Sequence, residues 1–159
     1  MNNILITILL SISPISELRG GMLYAIAVAK LPVLNAFLIS VISNIAIIAV
    51  IFLFLDFLHK HLHKIVLYKK VFDSSVAYVR KKSSQLESQI NRYGFLALIV
   101  FVAIPLPVTG AWTGSLIAWL LNLDRKKSLL AIALGVIISG VIVLLATLGV
   151  INAAIFLKK

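Results

Sequence analysis

Glu17 and Arg19 stand two residues apart inside an otherwise apolar stretch, beside Pro14 and the pair Gly20-Gly21. Ionised side chains are costly inside a bilayer, and where they occur they face the protein interior or a wet cavity and mark a path for substrate, ion or proton. Burial disfavours the charged form of a carboxylic acid, so Glu17 is the candidate proton carrier. The planar fork of Arg19 suits an anionic head group, a phosphate above all. A structural role is the alternative: the two charges neutralise each other and pin a bend. Residues two apart on a helix do not face each other, so direct pairing requires bent backbone there.

A second interruption follows about ninety residues later, Pro105-Leu106-Pro107-Val108-Thr109-Gly110-Ala111-Trp112-Thr113-Gly114. It carries no charge. Pro105 and Pro107 stop an incoming half-helix. Thr109 reads as the N-cap of an outgoing one, with Gly110 allowing close approach. Gly20-Gly21 is expected to do similar work at the first break. Two helix N-termini and one arginine would form an anion site, with Arg19, Gly20, Gly21, Thr109, Gly110 and Thr113 as substrate contacts. The Gly110-to-Gly114 spacing is equally consistent with small-residue packing. Asn44, with Ser40 and Ser43, makes a polar stripe expected to point inward at one of the breaks. Trp112 reads as core packing and Trp119 as an interface anchor.

These residues need elements to hold them, and the composition says which. The chain of 159 residues is 62% hydrophobic and 13% charged, with a mean hydropathy of +1.12. That is an all-α integral membrane protein, one domain over residues 1–159. There is no cysteine, which excludes disulfides, thiolate metal sites and cysteine nucleophiles. The first residues lack a basic region before the apolar run, so no cleaved signal peptide is expected.

Val33–Leu55 and Leu129–Leu157 are uninterrupted apolar runs long enough to span roughly 30 Å of hydrocarbon. The broken regions, residues 3–30 and 94–123, have apolar pieces too short to cross alone. Eleven of the fifteen basic residues fall between Asp56 and Tyr93 or at Arg125-Lys126-Lys127, which marks 56–93 and 124–128 as cytoplasmic. Both ends of the second broken region then lie on one side of the membrane. It is a re-entrant hairpin, and the first broken region is its counterpart from outside. The expected architecture is an inverted repeat of hairpin plus span (1–55 and 94–159) joined by a cytoplasmic connector. Ser43-Asn44 and Ser139-Gly140 recur 96 residues apart near the span centres. A plain four-span bundle is the rival. The connector has apolar residues at a 3.5-residue period, which reads as a basic amphipathic helix on the anionic leaflet or as a dimerisation seam.

Asp56, His59 and His63 share a helical face, but no fourth metal ligand is evident, and no metal or cofactor is expected. No nucleophile-elbow, phosphate-loop or zinc-protease motif is present, so the chain is not expected to be an enzyme. The basic clusters flank membrane segments, which argues for membrane lipids as partners rather than nucleic acid; a homodimer is compatible with the connector.

The two breaks, Ser13-Pro14-Ile15-Ser16-Glu17-Leu18-Arg19-Gly20-Gly21 and Ala103 to Gly114, with Tyr93-Gly94 ahead of the second, resemble the prokaryotic membrane family called putative small multidrug export proteins. The resemblance covers nearly the whole chain. That family is distantly similar to DedA proteins, whose fold is two opposed re-entrant hairpins and which are associated with proton-dependent movement of polyprenyl phosphate or other lipids. The resemblance therefore implies a transporter in the cytoplasmic membrane of a prokaryote. This chain has Met22-Leu23 where the family often has proline and Val108 where it often has glycine. DedA proteins carry an arginine in the second hairpin; here there is none between Arg92 and Arg125. Three functions follow as expectations: proton-linked transport of an amphipathic anion, export of lipophilic cations with Glu17 as counter-charge, and a non-transporting scaffold acting through the connector.

Overall fold

The computed structural model of the chain describes residues 2–62, 87–106 and 109–157. The described residues are helical, with no strand among them. The helices are α1 (Asn3–Ile12), α2 (Glu17–Leu23), α3 (Val33–Leu62), α4 (Glu87–Ala103), α5 (Ala111–Leu120) and α6 (Arg125–Phe156), and α2 continues into a π-helical turn, Tyr24–Val28. The periodic connector segment and Pro107 lie mostly or wholly outside the described residues.

Proline chemistry sets both breaks. Ser13 precedes Pro14, and the proline ring pushes its neighbour out of helical geometry. Ser13 is accordingly extended (φ −65°, ψ 137°) and α1 stops at Ile12. In the second break α4 stops at Ala103, one residue before Ile104-Pro105. At its other end α1 is capped by Asn2, whose side chain accepts from the Ile4 N–H at 3.0 Å.

α3 and α6 are long and apolar enough to cross a membrane. At 1.5 Å per residue they extend about 45 Å each, beyond the hydrocarbon thickness. α3 overshoots the expected end of its span by a further two turns, to Leu62. α6 starts at Arg125 rather than Leu129, because Asp124 caps it: its carboxylate accepts from the Lys127 N–H at 2.8 Å. The two run antiparallel. Gly140 lies against Val41 and Phe37, while Arg125 pairs with Asp56 at 2.8 Å.

The short helices fill the space along this pair. Tyr24 reaches Asn3 (3.4 Å), and Gly21 sits against Thr7 and Ser11, so α1 and α2 lie antiparallel. α4 runs alongside α6, with Gly135 against Val102 and the Ile99 carbonyl, and Gly114 on α5 fits against Val102 and Ile132. Buried Met22, Ile48, Val102, Ile132 and Val136 form the shared core. Packing of this kind replaces the hydrophobic effect when the surroundings are themselves apolar, which is why glycines stand where helices touch.

Two turns use left-handed residues. Asn122 (φ 51°) follows α5, and the Leu123 N–H closes back on the Ala118 carbonyl at 3.0 Å. That is a Schellman ending, for which asparagine is a good second choice to glycine. Lys30 (φ 52°) turns the chain from the π turn into α3.

One polar cluster escaped the sequence reading. Asp56 on α3 accepts from the indole N–H of Trp119 on α5 (2.9 Å) and from Arg125 on α6 (3.0 Å). Trp119 is therefore tied to a carboxylate as well as placed near the helix end. Arg125 and Asp56 are half exposed at the side chain (54% and 41%), and such pairs contribute little. Arg125→Ala is expected to lower stability by less than about 1 kcal/mol, as read by thermal unfolding of the purified protein.

Candidate functional site

The two breaks meet beside the midsections of α3 and α6. Glu17 opens α2 in left-handed geometry (φ 48°), a conformation that costs a non-glycine residue roughly 1–2 kcal/mol. The bend turns its carboxylate toward Arg19, and Arg19 Nη2 donates to Glu17 Oε2 at 3.0 Å. The expectation that pairing would need bent backbone is met at this residue. Arg19 Nη2 also donates to the Thr109 carbonyl at 3.2 Å. From the second break the Trp112 N–H donates to Glu17 Oε1 at 3.3 Å, and the Trp112 indole N–H donates to the Ile12 carbonyl at 3.0 Å. Glu17 is 5% exposed.

Gly110 completes the enclosure. A Cβ there would collide with the Glu17 carboxylate. Its backbone is extended (φ 178°), so the glycine is required for proximity and not for its conformation. It is also the N-cap of α5, with the Thr113 hydroxyl accepting from its N–H at 3.2 Å.

Two expected roles need correction. Thr109 does not cap α5. Its hydroxyl turns back to donate toward the Ile104 and Leu106 carbonyls (2.6 and 2.9 Å) and accepts from the Leu106 N–H (3.1 Å), which stabilises the break itself. Gly20 and Gly21 do not start a half-helix either. They lie within α2, and the Gly20 N–H is bonded to the Ser16 carbonyl at 3.0 Å, so it offers nothing to a ligand. Their function is steric: a Cβ on Gly20 would press on Ser16, and one on Gly21 would meet the Thr7 carbonyl at 2.9 Å.

Asn44 points at the first break, as its position implied. Its Nδ2 donates to the Ser11 carbonyl at 2.7 Å, one of the orphan carbonyls at the end of α1. Ser11, Thr7 and Ser16 were not singled out from sequence; each hydroxyl bonds a carbonyl one turn or more earlier. Asn44→Ala is expected to cost about 1–2 kcal/mol, the upper range for polar helix contacts in membranes, measured as a lower unfolding temperature.

Beside this cluster opens a cavity of about 530 Å³, lined by Pro14, Ser16, Arg19, Trp112 and Thr113 with Glu17 the most buried member. Pro105 lies in the second break but is not part of that lining. Arg19 is 23% exposed at the side chain. Among the described residues both its hydrogen bonds use Nη2, which leaves Nη1 and Nε directed at no protein acceptor there. Chemically the site is an anion cradle: a guanidinium and a helix N-terminal N–H converge on one carboxylate. Among the described residues no group of three metal-ligating side chains occurs; His63 lies outside them, and Asp56 is engaged as described above.

Residues 17–142 match the family model described as "Putative small multi-drug export protein". The chain belongs to that family. Comparison with curated proteins and with solved structures gives no match. The family's matched span opens at Glu17. It takes in Arg19, Thr109, Gly110, Trp112 and Thr113 at the cradle, and Asn44, which holds the end of α1. α1, whose terminal carbonyls receive Asn44 and Trp112, precedes it. Family and apolar helices together make this a membrane protein, and the family description names a transport role.

Proposed function

We propose that the chain moves amphipathic anions across the membrane, with an isoprenoid phosphate as the substrate class. Arg19 contacts the head group and Glu17 is the proton-linked group. The observation that carries this reading is the Arg19 guanidinium, with two nitrogens unused by the described protein, on a cavity of about 530 Å³. That cavity lies where two helix breaks meet, beside the long apolar helices. Binding sites at such breaks are the pattern of secondary transporters.

In this reading α1–α2 and α4–α5 are re-entrant hairpins from opposite faces of the membrane. Each pairs with one long helix, α3 or α6, so the halves form an inverted repeat. Residues 56–93 and 124–128 lie on the cytoplasmic side by their positive charge. What selects a lipid phosphate among anions is the expectation that this family is distantly similar to DedA proteins. Cation export, which the family description suggests, is the second reading. It requires a cation to displace Arg19 from Glu17 at the more deeply buried end of the pair.

Thermal unfolding of the purified protein with each ligand class separates them, since a ligand that binds only the folded state raises stability by mass action. An isoprenoid phosphate is expected to raise the unfolding temperature of the native chain and not of Arg19→Gln. Stabilisation by tetraphenylphosphonium alone would replace the anion reading with cation export. If neither stabilises and charge reversal in 56–93 abolishes the protein's cellular activity, a scaffold is the better description.

A further inference from the structure

The cradle is already full. Among the described residues Arg19 Nη1 and Nε are open for a first contact, but the two donors that converge on one place, Arg19 Nη2 and the Trp112 N–H, are held by Glu17 Oε2 and Oε1 at 3.0 and 3.3 Å. A carboxylate and a phosphate or sulfonate oxygen make the same charge-assisted bonds, so they compete for one place. The enclosure is also fitted to this carboxylate: Gly110 lies too close for even a Cβ. The left-handed backbone of Glu17 aims the side chain inward. A carboxylate needed only for charge balance with Arg19 would not need a helix N-terminus closed around its other oxygen.

We propose that Glu17 is a tethered competitor of the substrate. Its carboxylate holds the cradle closed, and an anionic head group enters by displacing it, the freed carboxylate taking up one proton from the buffer acid in solution, which is left as its conjugate base, to become a neutral acid. This rests on the anion-transport reading and states how that site is regulated. Proton uptake and anion binding are then linked, because the ionised side chain and the anion exclude each other.

Other charges do not complicate the linkage. α1 and α5 contain no titratable side chain. Those of α3 (Asp56, His59, Lys60, His61) and of α6 (Arg125, Lys126, Lys127) lie at the far end, around the Asp56–Arg125 pair. Tyr24 lies at the opposite end of the α2 unit, near Asn3. Among the described residues Arg19 is the ionisable group facing Glu17.

The test is calorimetric titration of the purified full chain with a farnesyl sulfonate, whose head-group charge is constant through the neutral range. Native protein is expected to bind more weakly as pH rises, by up to about tenfold per pH unit for one proton taken up. Buffers of different ionisation enthalpy should report that proton. Glu17→Gln removes the competing charge at nearly the same size. It is expected to bind about tenfold or more tighter at the alkaline end, the scale of one charged hydrogen bond, with a flat pH profile. Glu17→Ala, which removes the carboxylate altogether, should move in the same direction and guards against a misfolded Glu17→Gln variant. Sulfonate binding to native protein that is independent of pH, or that is no tighter in Glu17→Gln and Glu17→Ala, overturns the competitor and leaves the transport reading standing. No binding to any of the three proteins overturns both.

Discussion

Arg19→Ala should destabilise the protein by about 3 kcal/mol, because removing one partner of a buried ion pair strands the other charge. Glu17 is only 5% exposed, and it would keep a single neutral donor, the Trp112 N–H. The loss of the Thr109 contact loosens the second break at the same time. The double variant Glu17→Gln with Arg19→Met should recover most of the deficit, since replacing both partners by groups of similar volume leaves nothing uncompensated. Denaturant unfolding of the single and double variants in one detergent measures both. A double variant as unstable as Arg19→Ala would mean that the guanidinium contributes through packing or through Thr109, and not by balancing Glu17.

The second large effect is expected far from any charge. Gly135 on α6 admits the Val102 side chain so closely that an added Cβ would lie 2.7 Å from Val102 Cβ and 2.9 Å from the Ile99 carbonyl. Neither atom can swing away, since one sits at the root of a stiff β-branched side chain and the other is backbone. Gly135→Ala should therefore push α4 from α6 and cost about 1–3 kcal/mol, the usual range for overpacking. Gly135→Leu should cost more. The contrast is Gly149→Ala, where the added atom meets nothing within 4 Å and the helix gains propensity; it should be neutral or slightly stabilising. Thermal unfolding of the three variants gives the order directly. α4 also leads into the second break, so Gly135→Ala is expected to weaken anion binding without touching the cradle.

Composition, two apolar spans and two proline breaks were enough to read a helical membrane protein from the sequence, because each rests on a local rule: run length, and the steric demand of proline on its predecessor. The inward aim of Asn44, and the pairing of Glu17 with Arg19 that stood as the alternative to a transport role, were legible for the same reason, since an isolated polar group in an apolar run has few places to go. The errors came where two local solutions compete. Gly20-Gly21 looked like a helix start because glycines often mark one, yet here they let α1 approach α2, a tertiary demand that no local pattern records. Thr109 had the composition of an N-cap, but Gly110 took that place because the Glu17 carboxylate leaves no room for a side chain there. The π turn at Tyr24–Val28 had no sequence signal, and neither did the Asp56–Trp119–Arg125 cluster, which joins three distant segments.

The three polar contacts that join the two breaks share one property. Arg19 to the Thr109 carbonyl, the Trp112 N–H to Glu17, and the Trp112 indole to the Ile12 carbonyl each have a side chain at one end and main chain at the other. The Asp56 cluster at the far end joins side chain to side chain. Natural drift can therefore record the second kind as paired substitutions but leaves the first almost without trace, since any residue at position 109 or 12 presents the same carbonyl. Alanine at position 12 would leave its contact in place, and alanine at position 109 would report the lost hydroxyl bonds rather than the carbonyl that Arg19 uses. Replacing the Thr109–Gly110 amide by an ester weakens the carbonyl as an acceptor and also removes the Gly110 N–H that donates to Thr113. With Thr113→Val as the control for that second loss, it would make the junction audible.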